Sequence, residues 1–169
     1  RFDRQVVVDR PDLHGREVAG EGRGIIVRFM IAADRRSTFH EVRRAGCFVI
    51  PNPWDAGTAK ILTHLGFEAL ATTSAGLAFA LGRNDGAASR EETLANARAI
   101  VQATHLPVSA DLENGFGHSP DKVAETIQLA ASAGLVGGSI EDASGDRDKP
   151  IYDLNLAAER ISAAVEAAC

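Results

Sequence analysis

Four acidic residues, Asp85, Asp111, Glu113 and Glu141, follow short apolar or small-residue runs in which few basic residues stand to offset them. The run 106–110 (Leu-Pro-Val-Ser-Ala) reads as a strand, and it leads into Asp111-Leu-Glu113-Asn114-Gly115-Phe116-Gly117, where glycines free the backbone for a turn. Acids two apart on an extended strand share a face, so Asp111 and Glu113 can converge on one cation. If the ends of the neighbouring strands meet at the same rim, Asp85 and Glu141 join them. Such crowding calls for a hard divalent ion. Mg²⁺ suits an all-oxygen set better than zinc, because no Cys or His lies at ligand spacing. Thr73, Ser74, Ala75 and Gly76 are small enough for backbone N–H groups to approach an anionic ligand. Together these groups point to a carboxylated, oxygen-rich substrate whose developing enolate charge is stabilised by metal and backbone donors.

Each residue also has a plainer reading. Asp111 and Glu113 can be solvated or capping acids, Asp85 beside Gly86 a turn residue, and Glu141-Asp142 the polar end of a strand. Asp55 reads best as a helix N-cap, and His118 as a solvated loop histidine rather than a general base.

The elements that must position these groups alternate along the chain. Ser37 or Thr38, with Glu41, opens a short helix through Arg44. A strand at 47–50 is followed by the rigid turn Pro51-Asn52-Pro53-Trp54-Asp55 and a helix at 56–65 that Gly66 ends. A second strand at 69–73 leads through Ser74-Ala75-Gly76 into a long loop, then a helix from about Ser89 to Thr104 with a capping box. After the third strand, Ser119-Pro120 starts a helix to about Ala133. A fourth strand at 137–140 ends at Glu141-Asp142, and the last helix spans 154–168. Strict alternation implies parallel strands with crossover helices, either an open doubly wound sheet or a (β/α) barrel. The polar residues all follow strands (Asn52, Asp55, Thr73, Ser74, Asp111, Glu113, Glu141, Asp142), which favours the barrel. No glycine fingerprint follows the first strand, so a nucleotide-binding doubly wound domain is disfavoured.

Residues 1–36 form an unassigned extension in which Val6-Val7-Val8 and the stretch 24–27 read as short strands; 37–169 is the barrel-like unit. With 169 residues, 45% hydrophobic and 24% charged, and a net charge of −5, the chain reads as an ordinary soluble domain. Scattered basic residues and a single Trp and Tyr argue against nucleic-acid binding, and no apolar run is long enough to span a bilayer, so a cytoplasmic protein is expected. Cys47 and Cys169 make neither a disulfide framework nor a metal site, and Cys47 reads as a small buried side chain.

Five co-linear stretches then carry a resemblance: 48–57 (FVIPNPWDAG), 71–76 (ATTSAG), 81–86 (LGRNDG), 109–117 (SADLENGFG) and 139–142 (SIED). In this order they resemble the isocitrate lyase and phosphoenolpyruvate mutase superfamily. That resemblance implies a TIM-type barrel, Mg²⁺, and cleavage or formation of C–C or P–C bonds in small α-oxo-acid, carboxylate or phosphonate substrates through an enolate. Position by position, Asp111 resembles the principal metal-binding Asp, Glu113 the second acid of that motif, and Glu141 the acid that completes the metal shell through water. Asp85 resembles the loop Asp close to substrate and metal, and Thr73, Ser74 and Ala75 the segment that holds the oxo-carboxylate.

The loop 143–150 (ASGDRDKP) has neither the Cys nor the His of the Lys-x-Cys-Gly-His type loop of isocitrate lyases, so the chain resembles the mutase-like branch instead. Four strand-helix units correspond to the amino-terminal half of an eight-unit barrel. A half barrel leaves exposed edges, which implies a homo-oligomer or another covering partner. The competing expectation is a truncated, non-catalytic half barrel that persists only through such pairing.

Overall fold

A computed structural model describes residues 6–8, 32–44 and 46–168. The order of elements is β1 (Val6–Val8), α1 (Ala32–Arg44), α2 (Ala56–His64), β2 (Leu70–Ala71), α3 (Ser74–Ala80), α4 (Arg90–Ala103), β3 (Val108–Asp111), α5 (Pro120–Ser132), β4 (Gly137–Ile140) and α6 (Leu154–Ala168). One four-stranded sheet runs β1-β4-β3-β2. The strands β2, β3 and β4 are parallel, as helical crossovers require, whereas β1 adds antiparallel to β4 with Val7 opposite Ser139. The fold is α/β.

Local chemistry explains most boundaries. Asp55 caps α2 by accepting from the Thr58 N–H at 2.7 Å, and Thr58 Oγ1 returns the interaction to the Asp55 backbone. Ser89 and Glu92 form the same reciprocal box at the start of α4, and Ser119 with Pro120 starts α5. Gly66 and Gly134, at φ 85° and 90°, supply the left-handed turns beyond α2 and α5.

Several expectations are corrected. The segment at 47–50 forms no strand: the chain bonds to the sheet just after it, where the Ala71 N–H donates to Pro51 O at 3.1 Å, and Val49 is 69% exposed. An edge segment with half its residues in solvent gains too little burial to hold a regular ladder. Cys47 is exposed, not buried. Helix α1 begins at Ala32, and Thr38 lies inside it, its hydroxyl bonded back to Asp34 O rather than capping. Ser74-Ala75-Gly76 opens α3 instead of a loop, because Thr73 supplies an N-cap by accepting from the Gly76 N–H. The expected strand at 24–27 lies outside the described residues.

The two faces of the parallel strands differ, and this places the site. Val108, Ala110, Leu112, Ile140 and Leu70 are all at most 2% exposed and pack against the helices in two apolar clusters. The alternate positions Ser109, Asp111, Ser139 and Glu141 line a cavity of about 570 Å³ on the other face, together with Thr73 and Asn52. Ser109 and Ser139 on this face are themselves buried, so the run 106–110 is covered on both sides, with small and polar residues facing the cavity. No described helix is long and apolar enough to cross a membrane.

Candidate functional site

The Asp111 carboxylate stands at the carboxyl end of the central strand β3 and is fixed on both oxygens. Oδ2 accepts from the Ser74 N–H at the first turn of α3 (3.0 Å), and Oδ1 accepts from the Glu113 N–H (3.0 Å). The Asp111 N–H donates to Thr72 Oγ1 at 3.1 Å. Thr72, just after β2, and the first turn of α3 therefore hold the acid that β3 presents. The Ser74 N–H, expected to meet an anionic substrate, is committed to the protein's own carboxylate, and the Gly76 N–H is committed to Thr73 Oγ1.

Glu113 is not the second residue of an extended pair. The strand ends at Asp111, and Glu113 takes φ 48° in the left-handed region. Its carboxyl is nevertheless drawn into the same electrostatic cluster. Burial first, then the charges of Asp111, Asp85 and Glu141, push it up to about pH 7 from an ordinary 4.5. Its Oε1 is buried without a hydrogen-bond partner among the described residues. Glu141 is tied in through its backbone, whose N–H donates to Glu113 O at 2.8 Å, continuing the ladder that pairs Asp111 with Ser139.

Asp111, Glu141 and Thr73 share the cavity lining; Ser74, Ala75, Asp85 and Glu113 lie outside it. Asp85 is exposed in the turn between Gly82 and Gly86 and reaches the cluster through its charge. Ala75 is half-buried inside the first turn of α3. Asp55 acts as the N-cap expected of it, and Asn52 donates to Ala71 O at 3.0 Å. His118 has a partner: its Nδ1 lies 2.8 Å from the Tyr152 hydroxyl.

A divalent cation fits this donor set in one respect and awaits rearrangement in another. Like charges gathered around Glu113 and a buried carboxylate oxygen with no hydrogen-bond partner among the described residues are features that an all-oxygen cation site would satisfy. Among the described residues, however, no three Asp, Glu, His or Cys side chains already converge at ligand distances. Sequence reasoning missed Thr72, whose buried hydroxyl orients Asp111, and Arg160, buried behind the turn that follows Glu113. Thr72 lies within the stretch 71–76, but its residue type alone does not announce the bond to the Asp111 N–H, and Arg160 hides on an otherwise ordinary helix.

A family model described as phosphoenolpyruvate phosphomutase matches residues 39–169. The chain belongs to that family. Its relatives include lyases and phosphonomutases. An uncharacterised protein of Mycobacterium tuberculosis is 35% identical over 128 residues, covering 75% of this chain and 47% of the relative. The 2,3-dimethylmalate lyase of Eubacterium barkeri is 38% identical over 96 residues, 56% of this chain and 33% of the lyase. A crystal structure from Burkholderia cenocepacia J2315, described as a lyase/mutase, superposes with a TM-score of 0.79 at 56% identity, covering 80% of this chain and 49% of that one. Phosphonopyruvate hydrolase, whose crystal structure contains oxalate and Mg²⁺, shares the fold at 20% identity (TM-score 0.74, 79% of this chain and 48% of that one). The phosphoenolpyruvate phosphomutase-family chain thus spans about half the length of the relatives it matches.

Proposed function

We propose that this chain carries the acidic, cation-holding half of a (β/α) barrel that acts as a Mg²⁺-dependent lyase or mutase. The bonds acted on are C–C or P–C bonds of small α-oxo-acid, carboxylate or phosphonate substrates, with an enolate as the reacting species. The observation that carries this reading is the Asp111 carboxylate, gripped by two backbone N–H groups beside Glu113, whose Oε1 has no hydrogen-bond partner among the described residues. Asp111, Glu113 and Glu141 would hold the cation, which supplies Lewis-acid polarisation of an oxo group when bound.

The remaining work falls to the chain's own groups. The Ser74 and Glu113 N–H groups keep the Asp111 carboxylate aimed, which removes reorganisation at the moment of reaction. Thr73, on the cavity wall, and Ser74 and Ala75 beside it, would orient a substrate carboxylate; Asp85 would approach it from the exposed loop. Glu113, with its carboxyl pushed up to about 7, can hold or release a proton near neutral pH until positive charge displaces it.

Oxalate, a planar dicarboxylate shaped like an enolised oxo acid, is the probe. Calorimetry should show oxalate binding with Mg²⁺ present and none without it. Equal binding in both conditions would overturn the reading.

The second reading is a non-catalytic half that depends on a partner. It draws support from Phe79 at 66% and Val49 at 69% exposure, apolar surface that a homo-oligomer would cover. Sedimentation across a range of concentrations separates the two: oxalate binding by a stable monomer favours the enzyme, and folding that appears only on association favours the half barrel.

A further inference from the structure

Arg160, on α6, is the largest fully buried side chain of the described residues, at 1% exposure. A buried guanidinium is normally matched by a carboxylate. Among the described residues Arg160 meets none. Its donors go instead to three carbonyl oxygens within residues 114–118: Nη1 donates to Gly117 O (2.6 Å) and His118 O (2.8 Å), and Nη2 donates to Asn114 O. The guanidinium also lies over the Tyr152 ring, 4.1 Å from its centroid.

Tyr152 extends the grip to a second loop. Its hydroxyl is met by His118 Nδ1 at 2.8 Å and by Asn114 Nδ2 at 3.4 Å, and its N–H donates to Asp142 O at 2.9 Å. Arg160 therefore touches the turn that begins one residue after Glu113 and stacks on a residue bonded to the one that follows Glu141. That turn needs outside support, because both Glu113 (φ 48°) and Phe116 (φ 58°) occupy the left-handed region with full side chains.

We propose that Arg160 is a positioning residue for the acidic site, using carbonyl bonds and its stack on Tyr152 to fix the turn that sets Glu113 against Asp111 and Glu141. The proposal rests on the functional reading above only where it concerns the cation; the clasp on the turn is independent of it. Lysine keeps the charge but cannot span three carbonyls from one plane, so Arg160→Lys isolates the geometry from the charge.

The experiment is hydrogen exchange of the backbone amides of the protein, read residue by residue, alongside Mg²⁺ titration. In Arg160→Lys, exchange at Glu113, Gly115 and Phe116 should quicken by about tenfold relative to amides of α4, and Mg²⁺ affinity should fall by about tenfold. Tyr152→Phe keeps the stack and loses the hydroxyl; its exchange should quicken at 114–118 alone, which provides the answer if Arg160→Lys does not fold. Unchanged relative exchange across 113–118 in the folded variants would overturn the proposal. So would a lowered melting temperature with wild-type Mg²⁺ affinity, which marks a merely structural arginine. If the wild-type protein binds no Mg²⁺, the cation reading fails, and the exchange pattern alone decides the role of Arg160.

Discussion

Ser74 donates its backbone N–H to Asp111 Oδ2 at 3.0 Å, so the first turn of α3 and the end of β3 are joined through a carboxylate rather than through a ligand. The same acid is anchored from below by Thr72 Oγ1, which accepts from the Asp111 N–H. Thr72 is 5% exposed, so removing its hydroxyl strands a donor that water does not readily reach. Thr72→Val should lower stability by about 1–3 kcal/mol, measured by urea unfolding. A change below a few tenths of that scale would show that Asp111 finds another acceptor.

Glu113 makes the metal-free protein sensitive to pH. Its carboxyl is pushed up to about 7 in the folded chain, by burial and then by Asp111, Asp85 and Glu141, against 4.5 ordinarily. Between these values the folded state keeps a proton that the unfolded state has released, so stability falls as pH rises across the window. Acids held low, such as Glu125 at about 2, lose their contribution only below the ordinary carboxylate range and leave the window clear. Urea midpoints should therefore decline from about pH 5 to 7, and Glu113→Gln should flatten the decline. A wild-type slope retained in Glu113→Gln would contradict this origin.

Gly76 is constrained by close approach. A Cβ there would meet Thr73 Cγ2 at 2.5 Å and Trp54 Cβ at 3.1 Å. Gly76→Ala should cost about 1–3 kcal/mol through overpacking and displace Thr73 from the cavity wall, visible as chemical-shift changes at Thr73 and Asp111. Wild-type stability and shifts would show that Thr73 yields freely.

Asp55 is exposed yet structural, since both its cap and its box close on Thr58. Asp55→Ala should lower the urea midpoint while leaving Mg²⁺ binding intact. Loss of Mg²⁺ affinity in that variant would assign Asp55 to the site instead.

Much of this organisation is legible in the sequence because it is written in local chemistry. Ser89-Glu92, Asp55 and Ser119-Pro120 announce helix starts through hydrogen bonds formed within four residues, and β4 and α6 fall at 137–140 and 154–168 as expected. The segment at 47–50 looked like a strand because its residues are apolar, but strand formation depends on neighbours that residue types do not reveal. Alternation along a strand predicts Asp111 and Glu113 as same-face neighbours, which the left-handed φ of Glu113 overrules; the Asp111 side chain itself draws the chain into that turn by accepting from the Glu113 N–H. Arg160 stayed invisible because its partners are carbonyl oxygens 42 to 46 residues away.

Titration of Mg²⁺ into the wild-type protein and into Asp111→Ala, followed by calorimetry at pH 8, confronts the proposed cation site most directly. Binding by the wild type that is abolished in the variant, with the variant still folded by circular dichroism, is the predicted result. Equal Mg²⁺ affinity in the two proteins would contradict it.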